Sequence, residues 1–266
     1  MRGLKAVLKR ELASYFNAPV AYVFAVVFLL VANGLFMTTF FLAGLCDMRS
    51  FFQTLPLLLL VFIPALTMRL WAEERRSGTL ALLYSLPTSA GALVLGKFLA
   101  AFFFSLLTLA STFIIPVMLA ALGDPDWGPI WGGDLGAALL TAFLISLGQA
   151  VSAFFLDQIV AFIIALVVGF VSYLVGTDLI STSLDSWLPG VGSFLRQALG
   201  LSPHFSSLAK GVLPLRDVLF FLSYTVGFLI LNAFTVSGFL RYFERRSFYA
   251  GALFLVGGLL FFNAAL

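Results

Sequence analysis

The sequence is short of charge, histidine and cysteine, and each shortage removes a class of function. Charged residues fill 10% of the 266 positions and hydrophobic residues 62%, where globular domains are about 25% charged and about 45–50% apolar. With a mean hydropathy of +1.10, the composition is that of a membrane protein. The single cysteine, Cys46, excludes an internal disulfide and a multi-cysteine metal site. The single histidine, His204, lies near Ser202, Ser206 and Ser207, but nothing around it supplies the oriented base and oxyanion site of a serine hydrolase. A net charge of +3 is too small to argue for nucleic acid as a partner.

A basic start before an apolar run resembles a cleaved signal peptide, whose apolar core is about 7–15 residues. The run from Ala18 to Leu45 is much longer. The stretch Leu42–Cys46, LAGLC, puts Leu45 where a lipoprotein processing box needs a small residue.

A membrane helix needs about 20 mostly apolar residues. That window selects Pro19–Leu42, Phe52–Leu70, Leu93–Leu119, Leu135–Phe155, Ile159–Val175, Val218–Leu240 and Phe248–Ala264. All are read as helices, because an isolated strand cannot satisfy its backbone in lipid. Their interiors offer only Asn33, Thr38, Thr39, Thr67, Thr108, Gln149, Asn232 and Thr235 as polar groups. Gradient-driven carriers keep ionisable groups along their pathway, and an intramembrane enzyme needs polar groups clustered at one depth. Neither is present, and the polar residues read as helix–helix hydrogen bonders.

What charge there is falls unevenly. Arg2, Lys5, Lys9, Arg10, Arg69, Arg75, Arg76, Lys97, Arg241, Arg245 and Arg246 lie on one side of the expected spans. Arg49, Arg196, Lys210 and Arg216 lie on the other. The positive-inside rule then puts the N-terminus in the cytoplasm. In segment 2–16, Leu4, Val7, Leu8, Leu12 and Tyr15 recur at helical spacing, while Arg2, Lys5, Lys9 and Arg10 supply basic anchors. The pattern predicts a helix lying in the membrane interface on its apolar side, in contact with lipid. Segment 176–217, which mixes Gly, Pro and Ser with short apolar runs, predicts short re-entrant or interfacial helices. Asp157 and Gln158 mark a tight turn.

The densest charge is in AEERRSGTLALLYSLP, Ala72–Pro87, where Glu73, Glu74, Arg75 and Arg76 stand in a row on the cytoplasmic side. Ser77 or Thr79 is placed to cap a following short helix, Leu80, Leu83 and Tyr84 give it an apolar stripe, and Pro87 ends it. Positive-inside anchoring accounts for the arginines but not for the glutamates or the stripe. A short amphipathic helix flanked by charge suits docking in a groove of another protein. Next, GALVLGKF, Gly91–Phe98, matches a phosphate-binding loop at every place but its last hydroxyl. It runs directly into a span, so Lys97 is read as an anchor that snorkels to the interface.

Three stretches together resemble the ABC-2 type (type V exporter-like) permeases, most closely the gliding-motility and copper-enzyme-maturation branch. They are LKRELASYFNAPVAYVFAVVFLLVANGLF; IPALTMRLWAEERRSGTLALLYSLPTSAGALVLGKFLA, through Glu74, Gly78, Thr79, Pro87, Gly96 and Lys97; and SPHFSSLAKGVLPLRDVLFFLS. The resemblance implies an all-α polytopic fold with a six-helix core over residues 1–242. It adds a coupling loop at 72–92; the segment 243–266 departs from the family's six spans, and either crosses as a seventh hydrophobic span or lies in the interface with the C-terminus inside. It implies a transport role as the permease subunit of an ATP-driven exporter in a bacterial inner membrane, paired with a second permease. A separate cytoplasmic ATPase, which holds ATP and Mg, would dock on Glu73, Glu74, Arg75, Arg76, Gly78, Thr79, Leu80, Leu83, Tyr84 and Pro87. The chain itself would then be neither an enzyme nor the holder of a cofactor. The C-terminal span would meet a further membrane subunit with an extracytoplasmic domain, or be the stub of such a domain. The competing reading is a gliding-type scaffold whose ATPase does mechanical work with nothing translocated.

Overall fold

The computed structural model describes residues 2–44, 47–79, 88–187, 189–240 and 245–265; the side chains of residues 2, 43, 238–240 and 245–254 are outside the description. The described residues form thirteen α-helices and no strand. Six helices are long and apolar enough to cross a membrane, which makes the chain a multi-pass, all-helical membrane protein.

The chain opens with α1 (Arg2–Asn17), then α2 (Pro19–Ala43), α3 (Arg49–Thr67) and α4 (Arg69–Arg76). Pro19 starts α2 in the first helical turn, where a missing N–H costs nothing. The spans continue through α5 (Ala90–Ala110), a 3-10 turn at Ser111–Phe113, and α6 (Ile114–Leu122). The break comes where Pro116 has no N–H for the Thr112 carbonyl, and the Ser111 and Thr112 hydroxyls bond back to the Leu107 and Leu109 carbonyls at 3.0 and 2.7 Å.

Next is α7 (Trp127–Phe154), the most enclosed span, with 78% of its apolar window buried. The apolar window read from sequence starts only at Leu135, because Gly128, Pro129, Gly132 and Gly133 look like a loop. They are helical because other elements press against them. A Cβ on Gly132 would meet the Leu208 carbonyl at 2.4 Å, and one on Gly133 would meet the Phe52 ring at 2.4 Å. Asp126 caps the helix by accepting from the Gly128 N–H.

A tight turn capped by Asp157 leads to α8 (Gln158–Val175). Three short helices then cover one end of the bundle: α9 (Asp178–Trp187), α10 (Val191–Leu199) and α11 (Leu201–Ala209). Buried His204 of α11 bonds Asp217 at 2.6 Å and the Gln197 carbonyl at 3.3 Å, and stacks on Phe220. The histidine is therefore packed as a structural clasp between α11 and the start of α12 (Leu215–Leu240).

The last element is α13 (Arg245–Ala265). It runs antiparallel to α12: Asn263 and Ser223 exchange hydrogen bonds at 3.0 and 3.1 Å, and a Cβ on Gly227 would meet Leu259 at 2.2 Å. Its far end also packs on α10. Among the described residues, only Leu255–Ala265 of α13 counts as apolar, which is too short by itself to rank with the six spans. Reporters active on one side of the membrane, fused before Met1 and after Leu266, are expected to report opposite sides; the same side for both would place α13 in the interface.

Candidate functional site

The site gathers at the end of the bundle opposite α9–α11, where α1, α4 and α5 meet. Its centre is Lys97, 2% exposed. The Lys97 ammonium donates to Glu74 at 2.8 Å and Glu11 at 3.2 Å, and lies 5.0 Å from the centre of the Trp71 ring. Arg10 bonds both carboxylates from the rim. The snorkelling role expected for Lys97 is thus overturned: it points into protein, and two carboxylates from two other helices compensate its burial. Burial pushes the Glu11 carboxyl up, but Lys97 and Arg10 outweigh that and hold it below its ordinary value.

The glycine before Lys97 makes this possible. A Cβ on Gly96 would stand 2.6 Å from Val7 and 3.4 Å from the Leu8 backbone nitrogen. Gly96 lets α1 lie directly against α5, which brings Glu11 within reach of the lysine. Val7, Glu11 and Tyr15, four residues apart, form the buried face of α1, and the Tyr15 ring stacks on Phe104. Of the expected interface anchors, Lys5 and Lys9 are exposed, Arg10 is drawn into the ion cluster, and the Arg2 side chain is outside the description. The phosphate-loop look-alike at Gly91–Phe98 lies within α5, with its lysine already bound.

The four-charge row divides in two. Glu74 and Arg75 turn inward, Glu74 to Lys97 and Arg75 to the Ala153 carbonyl at 2.6 Å. Glu73 and Arg76 are exposed, as are Ser77, Gly78 and Thr79. The charged row itself forms α4, which continues α3 past Met68, while the short helix expected after the row falls mostly outside the described residues. Ser152 of α7 holds the turn at Met68: its hydroxyl accepts from the Trp71 and Ala72 N–H groups at 3.1 and 3.2 Å and donates to the Met68 carbonyl at 2.7 Å. Ser77 and Thr79 bond each other and the Glu74 carbonyl, so their hydroxyls close α4. Gly78 turns the chain with φ +72°, a conformation that favours glycine. Leu80, Leu83, Tyr84 and Pro87 fall outside the described residues.

Sequence reasoning missed Glu11 and Ser152. Glu11 had a signal, a lone acid on the Val7–Tyr15 stripe of an otherwise basic helix. Ser152 had none, because one serine in a span is unremarkable without its partners. A polar cavity of about 330 Å³, lined by Arg10, Glu11, Tyr15, Arg69, Glu73 and Lys97 among others, opens beside the cluster. The arrangement exposes a charged helix end whose buried side is tied to α1, α5 and α7.

Replacing Lys97 by Met leaves two largely buried carboxylates sharing only Arg10 at the rim and is expected to cost about 3 kcal/mol. Adding Glu11→Gln and Glu74→Gln should recover most of the loss in thermal melts of the detergent-solubilised chain. Because the Glu11 carboxyl titrates lower folded than unfolded, its contribution is present above the ordinary carboxylate range and fades as pH falls through the folded value. Glu11→Gln should flatten that acid limb of the melting curve; an unchanged limb would remove Glu11 from the account.

A family described as ABC-2 family transporter protein matches residues 8–172, a stretch that holds α1, the ion cluster and α4. A comparison with curated proteins gave no match. Since the matched region is well over half of the chain, the protein belongs to the ABC-2 family of transporter proteins.

Proposed function

We propose that the chain is the permease subunit of an ATP-driven exporter, working as a pair of permeases and driven by a cytoplasmic ATPase that docks on the exposed end of α4. The observation that carries this is the division of the charged row. Glu73, Arg76 and the Ser77–Thr79 turn face outward at the end of the bundle, while Glu74 and Arg75 bind α4 to three other helices. A surface meant only for anchoring has no need of a rigid connection behind it. A surface that receives force does, because a loose helix would move without moving the spans. Leu80, Leu83, Tyr84 and Pro87 follow directly in sequence and supply the apolar part of the docking segment.

The energy source follows from the spans. They carry few ionisable groups, Asp134 near the start of α7 and Lys97 near the start of α5 among them, which favours work supplied from outside the chain over coupling to an ion gradient. The N-terminus lies in the cytoplasm of a bacterial inner membrane, since the basic connections gather at the α1 end. With α13 as a seventh crossing, the C-terminus is extracytoplasmic and α13 is the element available to a further membrane subunit.

Charge reversal at the two outward residues, Glu73→Arg with Arg76→Glu, is expected to abolish co-purification of the ATPase while leaving the melting temperature of the permease unchanged. An intact, active complex from that variant would contradict the docking surface. Conversely, Ser152→Ala should keep ATPase binding, because it removes only the tie to α7, but should lower ATP-driven activity.

A further inference from the structure

The polar hollow beside the ion cluster holds two charges that the cluster leaves unmet. Three cations and three carboxylates line it. Lys97 and Arg10 are taken up with Glu11 and Glu74. That leaves Arg69 and Glu73; among the described residues, neither side chain makes an ion pair or a hydrogen bond. Glu73 is exposed. Arg69 is half-buried, with its guanidinium 5.3 Å from the centre of the Tyr15 ring. That cation–π contact holds the arginine at the wall of the hollow, so a concave site with a fixed, unpaired cation stays open to a ligand.

The order of the two charges is that of a phospholipid headgroup met from the membrane side. Because α4 continues α3, Arg69 stands just past the span and Glu73 one helical turn, roughly 6 Å, farther from it. An ethanolamine phosphate carries its anion next to the acyl chains and its ammonium outermost, two carbons away. On the span side of the hollow the lining turns apolar. The Tyr15 ring stacks on Phe104, and Phe104, with Phe24, Phe28 and Leu66, lines a narrow apolar cleft of about 40 Å³ between α2, α3 and α5. A polar hollow above an apolar cleft suits a lipid better than a soluble ion. The even charge balance of the hollow suits a headgroup without net charge. A head with a phosphate alone leaves Glu73 facing a second anion, and a choline head has no N–H to give it.

We propose that this hollow binds the headgroup of an ethanolamine phospholipid, with its phosphate on Arg69 and its ammonium on Glu73, and an acyl chain entering the Phe24–Phe28 cleft. Arg69 meets the phosphate with a planar fork of donors, and Ser14 of α1, on the same hollow, adds a hydroxyl. The lipid therefore joins α1 to α4 at the membrane surface. The inference does not depend on ATPase docking. Both readings use Glu73, so the test is made on the permease alone.

Native mass spectrometry of the delipidated full chain reads its affinity for phosphatidylethanolamine, phosphatidylcholine and phosphatidylglycerol with identical acyl chains. The ethanolamine lipid is expected to bind about tenfold tighter than either of the others, and Arg69→Gln should weaken it about tenfold. Glu73→Gln, a change at an exposed position, should remove the preference for ethanolamine over choline and leave choline binding as it was. Equal binding of the three lipids, or a preference that survives both variants, would mean ordinary lipid contact and overturn the proposal. Melting temperatures that shift in the variants while the lipid preference does not would mean that Arg69 and Glu73 serve only α4, and would overturn it too. Displacement of the lipid by equimolar glycerophosphoethanolamine would assign the hollow to a soluble ligand and overturn the lipid.

Discussion

A lysine cut off from water keeps its charge only where carboxylates meet it, and Lys97 is met by two from different helices. Much of the organisation at this end of the molecule depends on that requirement. Glu11 comes from α1, so α1 has to lie against α5, and Gly96 removes the side chain that would keep them apart. Glu74 comes from α4, so α4 has to turn one side inward and present the other to solvent. The exposed charges Glu73 and Arg76 are therefore positioned as a consequence of the buried ones. Breaking such a cluster at one member is expensive, but a neutral packing of similar shape is often no less stable. What the ions add here is connection: one ammonium fixes three elements that are far apart in sequence.

A second tie works through the backbone. Ser152 meets the turn at Met68, accepting from two N–H groups of α4 and donating to the Met68 carbonyl. That bond runs to α7, the most enclosed span, packed in turn on α3, α5, α11 and α12. Gly148 of α7 lies so close to Thr67 that a Cβ would stand 2.1 Å from its hydroxyl. Displacement of α4 thus has two routes into the bundle, one through Lys97 to α5 and α1, the other through Ser152 to α7. Under the proposed function, this is the property that a force-receiving element requires. At the other end, α9–α11 are clasped by His204 and Asp217, so the two ends of the molecule are held by different chemistry.

How much of this the sequence discloses depends on the range of the interaction. Spans are a local property, and five of the six were legible within a few residues of their ends; α7 started eight residues early because its glycines serve packing against α11 and α3, which no local pattern records. The amphipathic face of α1 was legible, but its meaning was not: Val7 and Tyr15 face α5 rather than the interface, and Glu11 between them was the clue. Lys97 was misread because a lysine near a span end snorkels by default, and only knowledge of what lies 86 residues earlier and 23 earlier reverses that. The Glu73–Arg76 row was seen as one charged surface because sequence adjacency hides the turn of a helix, which sends alternate pairs in opposite directions.

The most direct measurement is the reactivity of the lysine amines. The chain has four lysines, of which Lys5, Lys9 and Lys210 are exposed and serve as internal standards. With a water-soluble amine reagent and mass-spectrometric readout, Lys97 should stay unmodified in the native protein while the other three react. It should become reactive when Glu11 and Glu74 are both replaced by Gln. A Lys97 labelled as fast as Lys5 and Lys9 in the native protein would mean that it reaches the interface after all, and the account built on its burial would be wrong.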